Sequence, residues 1–302
     1  MSEHLTIPDG ETGFDRVLRF TLPANDARGR AVRLGPALHT ILAAHDYPPP
    51  IKHLLAEALV VAALIGSLLK DVAGQLTMQA QTQGGIVELL VCDYRAGELR
   101  GYVRFDADRL ALLGANPSLF ALFGTGYLAI TFDLATTGKR YQGIVPLEGG
   151  SLAEACEAYF AQSEQVPTLI RVAVQSSAST CTAGGLLIQH LPEGEDGRER
   201  LHARMDHPQW EHVAVLGGSI RHGELIDPAL SIEQLVWRLF HDEPEIRVEQ
   251  GPHLTRGCRC NSDHYAGVLA QFPESERSEM RDERGVIVVD CAFCSKLFEI
   301  TA

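Results

Sequence analysis

Cys258-Arg259-Cys260 and Cys291-Ala292-Phe293-Cys294 are the two stretches that organise the end of this chain. Thirty residues separate the C-x-C pair from the C-x-x-C pair, so four of the seven cysteines fall within the last 45 residues. Two short chelating turns joined by a loop can supply four thiolates to a closed, tetrahedral zinc site. The spacing therefore predicts one structural zinc ion with the ligands Cys258, Cys260, Cys291 and Cys294.

Two other interpretations of these cysteines remain open, a thioredoxin-like redox turn and plain structural thiols. Thioredoxin-like chemistry places its C-x-x-C at a strand-to-helix junction. Here strand-like runs flank the turn on both sides, at residues 286–290 and 296–300, which favours a zinc-bearing hairpin. His253 and His264 lie close enough in sequence to act as substitute ligands, but a surface histidine beside a complete set of four cysteines is more often not a metal ligand.

Composition limits the class of protein. The chain has 302 residues, of which 45% are hydrophobic, and this is enough for one large core and a second small domain. The longest apolar run, residues 54–69, contains Glu57 and is too short for a membrane span. The first ten residues carry Glu3 and Asp9 and have no apolar signal region. We therefore expect a soluble, cytoplasmic protein without a membrane partner.

The charge of the chain argues against nucleic acid as a partner. The formal net charge is −13, whereas binding to phosphate requires a positive face. Residues 251–302 contain six Arg or Lys against eight Asp or Glu, so the predicted zinc module is acidic too. In a reducing cytosol, Cys92, Cys156 and Cys181 are expected to be small buried hydrophobic residues.

Residues 1–192 are predicted to form a large α+β domain with a mainly antiparallel sheet. Alternating apolar residues predict strands, and longer apolar segments predict helices, of which residues 51–72 are the strongest. Ser151 and Glu154 form a capping-box pattern that opens another helix, to about residue 165. The predicted strands cover residues 14–22, 76–80, 86–91, 99–105, 127–134, 139–145, 169–174 and 185–190.

Residues 193–250 are predicted to be a partly helical, metastable linker, followed by a zinc-binding domain at residues 251–302. The linker begins with a polar, turn-rich stretch at residues 193–200. Two moderately apolar helices follow, at residues 210–220 and 231–241, and Ser231 with Gln234 forms a second capping-box pattern. On their own these helices would be marginal, so their order should depend on the domains at either end.

Several motifs carry a family resemblance. They are His45-Asp46-Tyr47-Pro48 running into Leu54-Leu55-Ala56-Glu57, Gly126-Tyr127-Leu128-Ala129-Ile130-Thr131, Arg140-Tyr141-Gln142-Gly143-Ile144-Val145, Leu147-Glu148-Gly149, Tyr159-Phe160-Ala161-Gln162-Ser163-Glu164-Gln165-Val166-Pro167-Thr168, and Ala183-Gly184-Gly185. Together with the two cysteine pairs, they resemble the redox-regulated thirty-three-kilodalton heat-shock chaperone family, from about residue 14 to residue 298.

The resemblance implies an ATP-independent holdase for unfolding client proteins. Its reduced form would bind one zinc ion through the four cysteines and be largely inactive. Oxidants such as hypochlorite, or peroxide with heat, would form the disulfides Cys258–Cys260 and Cys291–Cys294, release zinc and unfold the linker. The oxidised form of such proteins tends to be a homodimer. Residues 193–200 look like a local variation of the family's linker.

Two other classes of function remain as alternatives to a chaperone. One is an enzyme, either a dithiol–disulfide oxidoreductase or a hydrolase that uses the zinc. A four-thiolate site leaves no open coordination position, and neither His-Glu-x-x-His nor Gly-x-Ser-x-Gly occurs in the chain, so we expect no enzyme. The other is a zinc-containing module that binds protein or RNA, which the acidic charge disfavours.

Overall fold

The structure is a computed structural model that describes residues 13–114, 117–176, 180–191 and 207–301. It is a mixed α+β fold with antiparallel sheets, as predicted. The strands are β1 (Arg16–Leu22), β2 (Ala27–Leu34), β3 (Gln75–Thr82), β4 (Val87–Arg95), β5 (Glu98–Phe105), β6 (Gly126–Leu134), β7 (Lys139–Pro146), β8 (Thr168–Ser176), β9 (Cys181–His190), β10 (Arg247–His253), β11 (Thr255–Arg256), β12 (Ile287–Asp290) and β13 (Leu297–Ile300).

The helices of the described residues are mostly short. They are α1 (Pro36–Leu42), α2 (Pro49–Gly66), α3 (Ala107–Ala111), α4 (Leu119–Phe123), α5 (Leu152–Tyr159), α6 (Pro208–Gly218), α7 (His222–Ile226), α8 (Ile232–Phe240), α9 (Ser262–Leu269) and α10 (Glu274–Met280). A π-helical turn, Phe160–Glu164, continues α5.

Two large sheets form the body of the protein. The first has the strand order β10-β1-β2-β9-β8, and the second has the order β11-β5-β4-β3-β6-β7. All pairs within them are antiparallel except β11 with β5, which is parallel. Strands β12 and β13 form a separate antiparallel hairpin around the C-x-x-C turn, which confirms the two strand-like runs expected there.

Helix α2 is the central element of the core and contacts both large sheets. Its residues from Leu54 to Gly66 are buried with the exception of Glu57, which is partly exposed. The helix is apolar around its whole circumference because it is covered on all sides. By length and composition it would be able to cross a membrane, but 72% of it is buried inside the protein, as in the core helix of a globular domain.

The observed bounds of α2 differ from the predicted residues 51–72. The helix begins at Pro49, because a proline at the first helical position has no amide hydrogen to leave unpaired. It ends at Gly66, after which Leu68 and Leu69 donate to Ile65 O and Gly66 O in tighter turns. The ring of Tyr94 packs where a side chain at Gly66 would lie, so this glycine allows the helix to lie directly on β4.

The two predicted capping boxes have different outcomes. At α8, the Ser231 hydroxyl accepts from Gln234 N and the Gln234 side chain accepts from Ser231 N, so that box is complete. At α5, Ser151 caps Glu154 N, but the Glu154 carboxylate accepts from Gly150 N instead. Only half of the box predicted at α5 is therefore present.

The helices between the large sheets and the cysteine pairs lie on the outer face of the first sheet. Apolar residues of β1, β2, β8 and β9 form a second core with α6, α7 and α8, separate from the core around α2. Phe240 of α8 is fully buried, and its ring centroid lies 5.7 Å from the ring centroid of Phe20. The polar stretch predicted at residues 193–200 lies outside the described residues.

A buried cation ties these helices to the first sheet. Arg33 of β2 is 1% exposed, and its guanidinium donates to the carbonyl oxygens of Glu224, Leu225 and Leu230. Burial lowers the pKa of Arg33. A buried charged donor is costly unless its hydrogen bonds are made, so these carbonyls fix the end of α7 against β2.

Strand β10 spans the boundary predicted between the linker and the zinc-binding domain. It pairs antiparallel with β1 at the edge of the first sheet, where Phe20 faces Val248 and Thr21 faces Arg247. The chain then crosses to the second sheet, where β11 pairs with Glu98 and Leu99 of β5. The tail that carries the cysteines is thus attached to both sheets.

Candidate metal centre

The structure brings the four predicted ligands together. Cys258 Sγ lies 3.3 Å from Cys260 Sγ and 3.6 Å from Cys291 Sγ, and Cys260 Sγ lies 3.5 Å from Cys294 Sγ. All four sulfurs are within 4.8 Å of one another. A tetrahedral zinc ion with Zn–S bonds of about 2.3 Å places its sulfurs about 3.8 Å apart. The four sulfurs therefore lie close to the positions that a tetrahedral zinc ion would require.

The C-x-x-C half of the site is a tight turn between β12 and β13. Cys294 N and Ser295 N both donate to Cys291 O, at 3.1 and 2.7 Å, and Cys291 N donates to Lys296 O. Ser295 has a φ of 55°, which closes the turn in the left-handed region. These hydrogen bonds hold both sulfurs on the same side of the hairpin.

The C-x-C half follows β11 directly. Thr255 N donates to Gly97 O and Gly257 N donates to Leu99 O, so the backbone just before Cys258 is fixed to β5. After the second cysteine, the Asn261 side chain accepts from His264 N and caps α9. The C-x-C pair is therefore held between the second sheet and a helix.

The thiols of the cluster differ in acidity. Burial acts to raise the pKa of Cys291, but hydrogen bonds from Tyr265, from Phe293 N and from neighbouring thiols outweigh it and lower the pKa to about 7. Burial raises the pKa of Cys258 and, with the neighbouring thiols, that of Cys260. Cys291 is thus the easiest of these three to deprotonate.

Sequence reasoning missed the part played by Tyr265. Its ring lies 5.1 Å from the ring of Phe298, and its side chain hydrogen-bonds the sulfur of Cys291. No local spacing pattern links Tyr265 to Cys291, because only the fold of α9 over the hairpin brings them together.

The two histidines considered as substitute ligands lie elsewhere. His253 is in β10 and hydrogen-bonds Arg16, while the ring of His264 in α9 packs against Tyr265. Among the described residues, the cysteine cluster is the one group of three or more metal-binding side chains that the structure assembles. Its donor set of four sulfurs suits zinc.

The remaining three cysteines are not part of the site. Cys92 and Cys156 are fully buried, and Cys181 is 9% exposed. Burial raises the pKa of each thiol. This confirms the expectation that they are small buried residues of the large domain.

The comparisons with known proteins agree with this architecture. The family model described as Hsp33 protein matches residues 15–301. The chain belongs to the Hsp33 family. Members of the Hsp33 family are chaperones of the stress response, and this chain is therefore a stress-response chaperone.

Two relatives of the Hsp33 family illustrate the likeness. The chain is 39% identical over 301 residues to the 33 kDa chaperonin of Caulobacter vibrioides, covering 97% of each chain. It is 36% identical over 288 residues to that of Ectopseudomonas mendocina, covering 94% of this chain and 91% of the relative.

A solved structure has the same fold. The crystal structure of the 33 kDa chaperonin from Thermotoga maritima matches with a TM-score of 0.77, covering 95% of this chain and 94% of that one. The two sequences are 20% identical, so this likeness supports the Hsp33 fold alone.

Proposed function

We propose that this protein is a redox-regulated, ATP-independent holdase that binds unfolding proteins under oxidative and heat stress. The observation that carries the proposal is the cluster of four sulfurs within 4.8 Å of one another in a tail with a small core of its own. Family membership supports the chaperone part, and the sulfur cluster supports the redox part.

Cys258, Cys260, Cys291 and Cys294 would hold one zinc ion in the reduced protein. When bound, the metal would keep the four sulfurs as thiolates, which are the reactive form toward oxidants. The closed four-sulfur site has no position for a water molecule, and this supports a structural role over an enzymatic one.

Oxidation would convert the four thiols to two disulfides, Cys258–Cys260 and Cys291–Cys294. Each new S–S bond removes two electrons from a pair of thiolates, and one peroxide takes up these electrons with two protons to give two waters. Disulfide sulfurs no longer serve as thiolate ligands, so the site comes apart.

Loss of the site would unfold the tail. Structural zinc contributes on the order of 10 kcal/mol to the folding of small domains. Apart from the cysteines, the buried core of the tail consists of Leu269, Ile287, Phe298 and Ile300. This core is too small to replace the metal.

The surface that captures clients would come from the linker. Leu235, Val236 and Phe240 of α8 are buried against the first sheet, as is Val213 of α6. Because β10 joins the tail to the edge of the same sheet, unfolding of the tail would weaken the support of these helices. Their apolar faces would then be available to unfolding proteins.

The chaperone core would comprise residues 1–192, the linker residues 193–250 and the redox-switch domain residues 251–302. The protein would be cytoplasmic, and its oxidised form would be a homodimer. The net charge of −13 supports a protein without a nucleic-acid partner.

The test is light scattering of a thermally unfolding client enzyme, with the protein added either reduced and zinc-loaded or oxidised by peroxide at raised temperature. The expected result is suppression of aggregation by the oxidised form alone, reversed by a thiol reductant. Mapping of the disulfides by mass spectrometry in the same samples tests whether they are Cys258–Cys260 and Cys291–Cys294.

Matched variants separate the switch cysteines from the others. Cys291→Ser should lose zinc, whereas Cys92→Ser should retain it and switch normally. Equal suppression by reduced and oxidised protein would contradict the redox switch, and no suppression by either form would contradict the holdase.

A further inference from the structure

A cleft lies between helix α2, helix α4, the start of α5 and strand β8, and none of the four clustered cysteines lines it. It has two adjoining lobes, with volumes of about 470 and about 560 Å³, which share His53, Glu57, Gly150 and Val174. Small-molecule sites usually have volumes of about 300–1,000 Å³. The cleft is therefore large enough to take an organic ligand.

The two lobes differ in the side chains that line them. The first lobe has an apolar wall formed by Pro49, Pro50, Leu54, Pro117, Leu119 and Leu122. The second lobe is lined by the polar side chains of His53, Glu57, Glu154, Glu157, Arg171 and His222. A ligand that fills both lobes must therefore have an apolar part and a polar or charged part.

The basic groups of the second lobe offer little free positive charge. Arg171 Nη1 lies 2.9 Å from Glu157 Oε1, so these two side chains form an ion pair. Burial and the nearby ring of His222 lower the pKa of His53, so the His53 ring is neutral at pH 7. This arrangement disfavours an anionic ligand.

Two carboxyl groups of the second lobe remain available to a ligand. Glu57 accepts hydrogen bonds from Leu152 N and Ala153 N, both through Oε1. Glu154 accepts from Gly150 N through Oε2. Within the described residues, the second oxygen of each carboxyl accepts no hydrogen bond, and neither carboxyl is in an ion pair. These oxygens can therefore accept hydrogen bonds from a ligand in the cleft.

The electrostatics of the two carboxyl groups favour a cation. Burial raises the pKa of Glu57, and the nearby charge of Glu154 acts in the same direction. A positive charge between the two groups would offset both effects, because it stabilises the ionised form of each carboxyl. The ligand that best suits this lobe is thus cationic.

The placement of the acidic groups favours an organic cation over a metal ion. Among the described residues, the cysteine cluster is the one group of three or more metal-binding side chains that the structure assembles, so the carboxyl and imidazole groups of the cleft do not converge on one point. A flexible chain with several ammonium groups can contact separate carboxylates. Its methylene groups can then pack on the apolar wall, as the stem of a lysine side chain does on an apolar surface.

We propose that this cleft binds a small aliphatic polyamine, with its ammonium groups on Glu57 and Glu154 and its methylene groups along Leu54 and Leu122. The formal net charge of −13 draws such cations toward the protein. The site goes beyond the proposed holdase function and does not depend on it, because the cleft and the sulfur cluster share no residue.

The experiment is isothermal titration calorimetry of the reduced, zinc-loaded protein with spermidine. Spermidine should bind at a single site per chain, whereas an uncharged aliphatic diol of similar length should not bind. Glu154→Gln should weaken the affinity for spermidine about tenfold, from the loss of one hydrogen bond to a charged group. Glu88→Gln removes the same charge at an exposed position of β4, so this matched control should bind spermidine as the unmodified protein does.

A variant that keeps every carboxyl group separates binding in the cleft from general attraction of charge. Gln175→Trp adds a large side chain beside the apolar wall, at an exposed position of β8, and should weaken binding by a similar factor. Equal affinities for Glu154→Gln, Gln175→Trp and Glu88→Gln would mean that spermidine only screens the surface charge, and this result would overturn the proposal. The absence of spermidine binding would overturn it too. Because the titration contains no client protein and no oxidant, its result is independent of the holdase assay.

Discussion

Gly257→Ala should detach the start of the tail from the second sheet. A Cβ at this position would overlap Glu98 Cβ and would lie 2.8 Å from Glu98 Cγ, which is too close for a pair of carbon atoms. Gly257 is not among the residues with positive φ, so alanine is compatible with its backbone and acts through this clash alone.

The expected increase in the rate of amide hydrogen exchange follows from the hydrogen bonds that the clash breaks. Gly257 N donates to Leu99 O at 2.9 Å and Thr255 N donates to Gly97 O at 3.0 Å. Two backbone hydrogen bonds contribute about 1–3 kcal/mol in total. Their loss should speed exchange of these amides roughly 5- to 150-fold in the reduced, zinc-loaded protein.

Two variants complete the experiment. Gly267→Ala in α9 has open space around the new Cβ and should leave exchange near β5 unchanged. Glu98→Gly combined with Gly257→Ala removes the clashing atoms and should restore slow exchange. If Gly257→Ala exchanges like the unmodified protein, the close approach of the tail to β5 is refuted.

Three further predictions concern the core, pH and thiol reactivity. Phe240→Ala should destabilise the protein by about 3–5 kcal/mol in denaturant unfolding, because it leaves a cavity under α8. Burial raises the pKa of Glu57 despite hydrogen bonds from Ala153 N and Leu152 N, so its contribution to stability is present at acid pH and is lost as the pH rises through that pKa. Glu57→Gln should therefore reduce the fall in melting temperature between about pH 4 and pH 7. In metal-free reduced protein, iodoacetamide should modify Cys291 and Cys260 at similar rates, because the tail unfolds and the hydrogen bonds that lower the pKa of Cys291 to about 7 are lost.

Each of these predictions has a result that would contradict it. A cost below about 1 kcal/mol for Phe240→Ala would mean that α8 is not packed as described. If the melting temperatures of Glu57→Gln and of the unmodified protein fall equally between about pH 4 and pH 7, ionisation of Glu57 does not contribute to the pH dependence of stability. Faster alkylation of Cys291 than of Cys260 would show that the tail keeps its folded structure without the metal.

Several contacts were beyond sequence reasoning. Strand β10 is polar and mostly exposed, so its pairing with β1, at the opposite end of the chain, has no periodic signal. Arg33 gives no sign in the sequence that it is buried beneath α7. The docking of Phe293 on Arg100 likewise joins residues that only the folded sheet brings together.

The α+β class, the strands that flank the C-x-x-C turn, and the two chelating cysteine pairs could be predicted from the sequence. These features are local, because side-chain periodicity and chelate spacing act within a few residues. The path of the tail from the first sheet to the second, and the contacts of Arg259 and Phe293 with the second sheet, became visible only in the folded protein. Such contacts depend on distances between segments that are far apart in the chain, and a local pattern does not encode them.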